Sequence, residues 1–196
     1  MARSGWTLAD APPQTGRTAV ITGANSGIGR AAAMGMATLG ARVVLACRNE
    51  QTATAAAADI VDMVPGAELD VVTIDLSDQA SVRRAAAEII DRHDSIDLLI
   101  NNAGLMRAQR ELTVDGFEMD FGTNFLGHFT LTGLLLPKVS GDGRVVTVGS
   151  HAHRTGAIDF DDLRLDRGFS SASAYSRARL AQMLFAFEFD RRLWDA

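Results

Sequence analysis

Cysteine is nearly absent from this chain: Cys47 stands alone in 196 residues. A single cysteine makes no internal disulfide and supplies no cysteine-based zinc cluster, which suits a reducing compartment and makes the cytoplasm the expected location. A basic excess is also lacking. Lys and Arg number 19 against 24 Asp and Glu, for a formal net charge of -5. Nucleic acid and anionic membrane surfaces, which reward concentrated cations, are therefore not expected partners. No segment approaches the roughly 18 uninterrupted apolar residues of a membrane span. Residues 1–14 carry one basic residue after the start and no apolar stretch fit for a signal peptide. Fixed-period repeats, low-complexity tracts and charge blocks are missing too.

What is present is an ordinary globular composition, 47% hydrophobic and 22% charged, which points to one domain over residues 16–196 behind an N-terminal arm, 1–15. Pro12-Pro13 reads as an extended stretch, with Trp6 and Leu8 of the arm packing on the surface. From Thr18 onward, short β-branched runs alternate with longer Ala- and Leu-rich ones. Strands are expected at Thr18–Thr22, Arg42–Cys47, Asp70–Ile74, Ile96–Ile100 and Arg144–Gly149. Each is almost continuously apolar, the pattern of a strand buried on both faces of a parallel sheet. Helices are expected at 27–39, 49–63, 77–92, 115–138 and 173–194, with Ser77 capping the third. The alternation implies a doubly wound, Rossmann-like α/β sheet with helices on both faces. The loop from Ser150 to Ser173 is long enough to suggest a functional role. Ligands of such sheets sit beyond the carboxyl ends of the strands, so residues just after each strand are the candidates.

After the first strand comes Thr22-Gly23-Ala24-Asn25-Ser26-Gly27-Ile28-Gly29. Gly23 permits the turn, Gly27 leaves room for phosphates, and Gly29 lets helix pack on strand, while the helix N-terminus favours an anion. No Lys-Ser/Thr follows, which excludes a Walker A loop. The second strand ends at Arg48, about 20 residues beyond the glycines, where a ribose-reading residue is expected. A guanidinium there pairs with a 2′-phosphate, so Arg48 points to NADP(H) over NAD, unless it is a solvated residue that Glu50 neutralises. Asp75 follows the third strand and either accepts from the adenine amino group or caps the next helix; Leu76 beside it belongs to the same expected cofactor contact.

Taken together these motifs resemble the short-chain dehydrogenase/reductase family. The cofactor turn matches, Asn101-Asn102-Ala103-Gly104 matches that family's motif after the fourth strand, and Asn124, Ser150 and Tyr175 fall in the order of its catalytic positions. Segments such as Asn124-Phe125-Leu126-Gly127-His128-Phe129 are most similar to the retinol-dehydrogenase and protochlorophyllide-reductase-like branch, which commonly uses NADP. The resemblance implies cofactor contacts at Asn25, Ser26, Ile28, Asn102, Ala103 and Gly104. It also implies hydride transfer between NADP(H) and a carbonyl or secondary alcohol. Such transfer needs a proton donor for the developing alkoxide and a second hydrogen bond to it. Tyr175, the single tyrosine, is the expected acid or base and Ser150 the second donor. By resemblance Asn124 holds a water of the proton relay.

Two departures qualify the expectation. The family places lysine four residues after the tyrosine; this chain has Arg179. Positions four apart share a helix face, so a cation still stands beside the phenol. Ionising a tyrosine near neutral pH requires its pKa to fall about 3 units from 10, roughly 4 kcal/mol, and a cation supplies part of that. Guanidinium, however, presents a fixed planar fork and holds its proton, so Arg for Lys is not conservative. The other departure is length: family members continue for roughly another third of a domain, so the far-edge strands and the loop over the substrate are expected to be missing. That leaves a catalytically weak or silent nucleotide-binding protein as the alternative reading. It also leaves helices 115–138 and 173–194 as an expected surface for self-association. His151 and His153 lack further ligands at supporting spacing and read as loop histidines, with no metal expected.

Overall fold

The computed structural model describes residues 5–194. Residues 1–4 of the expected arm and residues 195 and 196 of the expected domain lie outside the described residues. The strands are β1 (Thr18–Thr22), β2 (Arg42–Cys47), β3 (Leu69–Thr73), β4 (Ile96–Asn101) and β5 (Val139–Thr147). The helices are α1 (Gly27–Thr38), α2 (Glu50–Met63), α3 (Gln79–Arg92), α4 (Met119–Phe121), α5 (Gly127–Leu135) and α6 (Ser171–Trp194).

The strands form one sheet in the order β3-β2-β1-β4-β5, every pair parallel. Successive side chains of a strand point to opposite faces, and this divides the core in two. Val20, Val44 and Leu99 enter one apolar layer with Val82, Ile89 and Leu131 of α3 and α5. Their neighbours Ile21, Val43 and Leu45 enter the other with Ala33, Ala37, Ala53 and Ile60 of α1 and α2. The alanines at four-residue spacing on α1 let that helix sit close to the sheet. This is the doubly wound architecture that the strand composition implies, with β5 on one edge.

Local boundaries differ where turn chemistry wins. Helix α3 starts at Gln79 under an Asp78 cap, whose carboxylate accepts from Ala80 N–H at 2.8 Å. Ser77 is not the cap: its N–H and hydroxyl donate to Asp75 Oδ1 at 2.9 and 2.6 Å. Of two adjacent cap formers, the carboxylate takes the helix end. The expected helix from 115 begins only at Met119, because Gly116 (φ +80°) closes a turn on Thr113 and Leu112 bridges Glu118. Between α4 and α5 the chain runs through a π-helical turn, Gly122–Leu126. Strand β5 begins at Val139 rather than Arg144: its pairing jumps from Ile96↔Val139 to Leu98↔Arg144. The residues between, Ser140-Gly141-Asp142-Gly143, form the bulge that turn-like composition disguised.

One buried cation ties the long loop to the helices. Arg177 of α6 donates to Glu118 Oε2 at 3.0 Å, with the two side chains 2% and 0% exposed. Its other terminal nitrogen donates to the carbonyls of Leu163 at 2.8 Å and Asp162 at 3.3 Å, and the guanidinium lies 4.9 Å from the Phe121 ring centre. Glu118 in turn accepts from the N–H groups of Asp120 and Phe121, capping α4. A single side chain thus fixes α4, α6 and the loop, and with them the start of α6, where Tyr175 lies.

Candidate active site

At the carboxyl ends of β1–β4 lies a cavity of about 490 Å³. The whole expected cofactor set lines it: Gly23, Asn25, Ser26, Gly27, Ile28 and Gly29 of the first turn, Arg48 after β2, Asp75 and Leu76 after β3, and Asn102, Ala103 and Gly104 after β4. Gly27 (φ +53°) has open space where a side chain would be, whereas a Cβ on Gly29 would overlap the Gly23 carbonyl and Asn102 Nδ2. The first is the vacancy a phosphate needs and the second the close helix–strand contact that delivers it. Ser26 caps α1 without a side-chain bond, so the first N–H groups of the helix stay open to an anion. A dinucleotide's pyrophosphate fits this cradle. Arg48 is exposed and makes no ion pair with Glu50 or any other described residue. Asp75 commits one oxygen to Ser77 and does not cap α3.

The turn is locked to the segment after β4 through Thr22. Its hydroxyl accepts from the N–H groups of Asn102 at 2.9 Å and Ala103 at 3.0 Å, and Asn102 Nδ2 donates back to the Thr22 carbonyl at 2.8 Å. With both lone pairs used, the Thr22 proton faces two acceptors, His128 Nε2 at 2.9 Å and the Ile100 carbonyl at 3.4 Å, and the Asn124 carbonyl beside the other ring nitrogen of His128 can only accept. Nδ1 of His128 is therefore the protonated nitrogen and donates to the Asn124 carbonyl at 3.0 Å. Burial pushes the His128 pKa down to about 4, so the ring is neutral at physiological pH. Asn124 spends its side chain on Leu105, accepting from its N–H and donating to its carbonyl, both at 2.8 Å. One polar chain thus runs from the glycine turn through His128 to the loop beyond the Asn-Asn-Ala-Gly motif.

Tyr175 stands half-buried on the first turns of α6, and its hydroxyl has no hydrogen-bond partner among the described residues. Arg179, one turn on and 6% exposed, lays its guanidinium 5.0 Å from the Tyr175 ring centre. Arg179 Nη2 packs against Gly104, where a Cβ would overlap it and approach Asn124 Oδ1 to 3.2 Å. Ser150 follows β5 as the cap of a 3-10 turn, His151–Thr155, accepting from Ala152 N–H at 3.3 Å. The fold thus brings Asn124 and Arg179 to Gly104 at the cavity edge, sets Tyr175 against Arg179, and places Ser150 at the start of the turn that packs on α6; none of these four side chains lines the cavity itself. His153 turns its Nδ1 to the Ser150 carbonyl at 2.6 Å. Among the described residues no three His, Cys, Asp or Glu side chains gather as a metal site.

Asp120 gives the site a pH signature. It is fully buried, accepts from Arg107 N–H at 3.0 Å through Oδ1, and leaves Oδ2 without a partner. Burial, then the Glu118 charge, raises its pKa to about 6. The folded state therefore holds this proton more tightly than the unfolded chain, whose Asp titrates near 3.9. Stability linked to Asp120 is present in full below about pH 4 and is lost as pH rises through 6. Asp120→Asn removes that titration, so its stability relative to the parent is expected to climb by up to about 3 kcal/mol between pH 4 and 7. Urea unfolding at the two pH values measures this; a difference that stays flat contradicts the assignment.

Sequence reasoning did not single out Leu105, His128, Asp120 or Gln182. The four-residue spacing of Asn124 and His128 is the available signal for His128, and the three-residue spacing of Arg179 and Gln182 on α6 that for Gln182; for Leu105 and Asp120 the contact is remote in sequence and made through a backbone N–H.

A family model for the short chain dehydrogenases matches residues 17–160. Human retinol dehydrogenase 13 is 44% identical over 181 residues, 91% of this chain and 55% of the human protein. Human retinol dehydrogenase 14 is 42% identical over 193 residues, again 91% of this chain and 57% of that protein. The chain thus spans little more than half the length of these relatives. Among solved structures, an uncharacterized protein from Mycobacterium paratuberculosis superposes with a TM-score of 0.88 at 46% identity, covering 98% of this chain and 68% of that one. The RhlG/NADP complex of Pseudomonas aeruginosa follows at a TM-score of 0.75 and 25% identity, over 93% and 69% of the two chains. The glycine cradle, the Asn-Asn-Ala-Gly lock, the Tyr175 helix and these similarities converge: the chain belongs to the short-chain dehydrogenase family, in the branch that the retinol dehydrogenases represent.

Proposed function

We propose that this chain forms an NADP(H)-dependent oxidoreductase site that acts on a carbonyl or the corresponding secondary alcohol. The observation that carries the reading is the meeting at Gly104: this residue lines the nucleotide cavity and simultaneously packs on Arg179, whose guanidinium covers the Tyr175 ring. The glycine turn and the α1 N-terminus would hold the pyrophosphate, Arg48 the 2′-phosphate, Asp75 and Leu76 the adenine end, and Asn102 to Gly104 the nicotinamide end. When bound, the nicotinamide supplies or takes the hydride.

The chain's own residues handle the proton. Tyr175 gives its hydroxyl proton to the developing alkoxide in reduction and takes one in oxidation. Ser150 donates the second hydrogen bond to that oxygen. Arg179 favours the phenolate that Tyr175 becomes. Asn124 fixes the Leu105 segment through its amide, and by the family resemblance its position is the one that holds a relay water. Association of copies through α5 and α6 accords with the exposure of Phe129, Leu184 and Phe187.

The reading is tested by following NADPH oxidation with a panel of aldehydes and ketones; turnover with at least one supports it, and none with any would leave a nucleotide-binding protein. Cofactor choice has its own test. Arg48→Ala is expected to weaken NADPH binding about 10-fold, the worth of one charge-assisted bond, and to leave NADH binding unchanged. Equal loss for both cofactors, measured by calorimetry, would remove Arg48 from the 2′-phosphate.

A further inference from the structure

Arg179 presents a physical problem that a lysine would not. A lysine ammonium is a compact point charge with rotatable donors, whereas a guanidinium is a plane whose five donors point in fixed directions. To act on Tyr175 and the cavity, that plane must be held at one angle. Two acceptors do so. Arg179 Nη1 donates to the Val148 carbonyl at 3.1 Å and to Gln182 Oε1 at 2.7 Å. With Nη1 gripped from two sides, Nη2 is the terminal nitrogen turned to Gly104 at the cavity edge, and it carries no hydrogen bond among the described residues.

Gln182 is a costly residue to place there. It is 1% exposed and its Nε2 has no partner, and a buried unpaired amide is unfavourable. Ala178 and Ala181, buried beside it on α6, are apolar, and the buried polar side chains of Ser176 and Arg177 bond elsewhere, to the Ser173 carbonyl and to Glu118. The bond to Arg179 is the one hydrogen bond its side chain makes among the described residues. Resting on the function proposed above, we infer that Gln182 is a positioning residue: together with the Val148 carbonyl it orients the Arg179 guanidinium over Tyr175, and so fits an arginine to the place where the family has a lysine.

Tyr175 is the chain's single tyrosine, so tyrosinate absorbance in the near ultraviolet reports this residue alone and needs neither substrate nor cofactor. Its pH midpoint is to be measured in the parent, in Q182M and R179M, and in R179K with and without Q182M. Removing the cation, or letting it swing away, is expected to move the midpoint upward in R179M and in the same direction in Q182M. In the R179K background Q182M is expected to change nothing, because an ammonium does not depend on one acceptor for its direction. That non-additivity is the signature of positioning. A Q182M midpoint equal to the parent's while that of R179M rises, or an equal shift from Q182M in both backgrounds, overturns the proposal and spares Arg179. An unchanged midpoint in R179M overturns both. Should Q182M fail to fold, Q182N, which draws the amide back by one methylene, takes its place with the same expected direction.

Discussion

Tyr175→Phe is expected to lower the turnover of NADPH with a carbonyl substrate by about 10²–10⁴-fold, the usual worth of a positioned general acid. The change deletes one oxygen from a half-buried ring whose hydroxyl bonds to no described residue, so no internal bond is broken and no buried partner orphaned. The ring that Arg179 covers is kept. Cofactor affinity should therefore stay within about 3-fold of the parent, well under the 1.4 kcal/mol that a factor of ten represents. Steady-state rates and a calorimetric titration on the same preparation separate the two effects. Turnover surviving at the parent level would remove Tyr175 from the chemistry; lost binding along with lost turnover would make its role structural.

Arg177→Met should have the largest effect on stability, about 3–5 kcal/mol. The substitution leaves the Glu118 carboxylate fully buried, with only the N–H groups of Asp120 and Phe121 against its charge. It also releases the carbonyls of Asp162 and Leu163. Adding Glu118→Gln to Arg177→Met is expected to recover part of the loss, because the neutral amide keeps a cap acceptor and drops the unpaired charge. Denaturant unfolding measures both. Amide exchange should quicken around Asp162 and Leu163 in the single variant. A cost below about 1 kcal/mol would place this pair with surface ion pairs in energetic weight.

Fold and cradle were readable in the sequence for one reason: their signals are local. A parallel strand buried on both faces writes its apolar character into consecutive residues, and the turn that follows it writes its glycines into the next few. Hence β1, β2 and β4, the Gly23–Gly29 turn and Asn102–Gly104 sit where the pattern places them. The boundaries that moved are those at which two local signals compete. Ser77 and Asp78 both cap helices, and the stretch from Ser140 to Gly143 reads as a turn although the strand passes through it as a bulge.

The wiring of the site was not readable. Glu118 and Arg177 lie 59 positions apart, Thr22 and His128 lie 106 apart, and nothing in either neighbourhood names the other. Arg179 could be seen as a departure from the lysine and Gln182 as its neighbour on one helix face, but the carbonyl 31 positions away that completes the hold on the guanidinium could not. Its anchors are a glutamine on the same helix and a backbone carbonyl after β5. The π-helical turn at Gly122–Leu126 likewise has no pattern of its own. It stands between the Asp120 and His128 contacts, both of which are tertiary.

The most direct test of an NADP(H) site in these residues is a calorimetric titration of the 196-residue chain with NADPH and, in parallel, with NADH. Saturable binding at one site per chain, tighter for NADPH, is the predicted result. No binding of NADPH, or tighter binding of NADH, would contradict it.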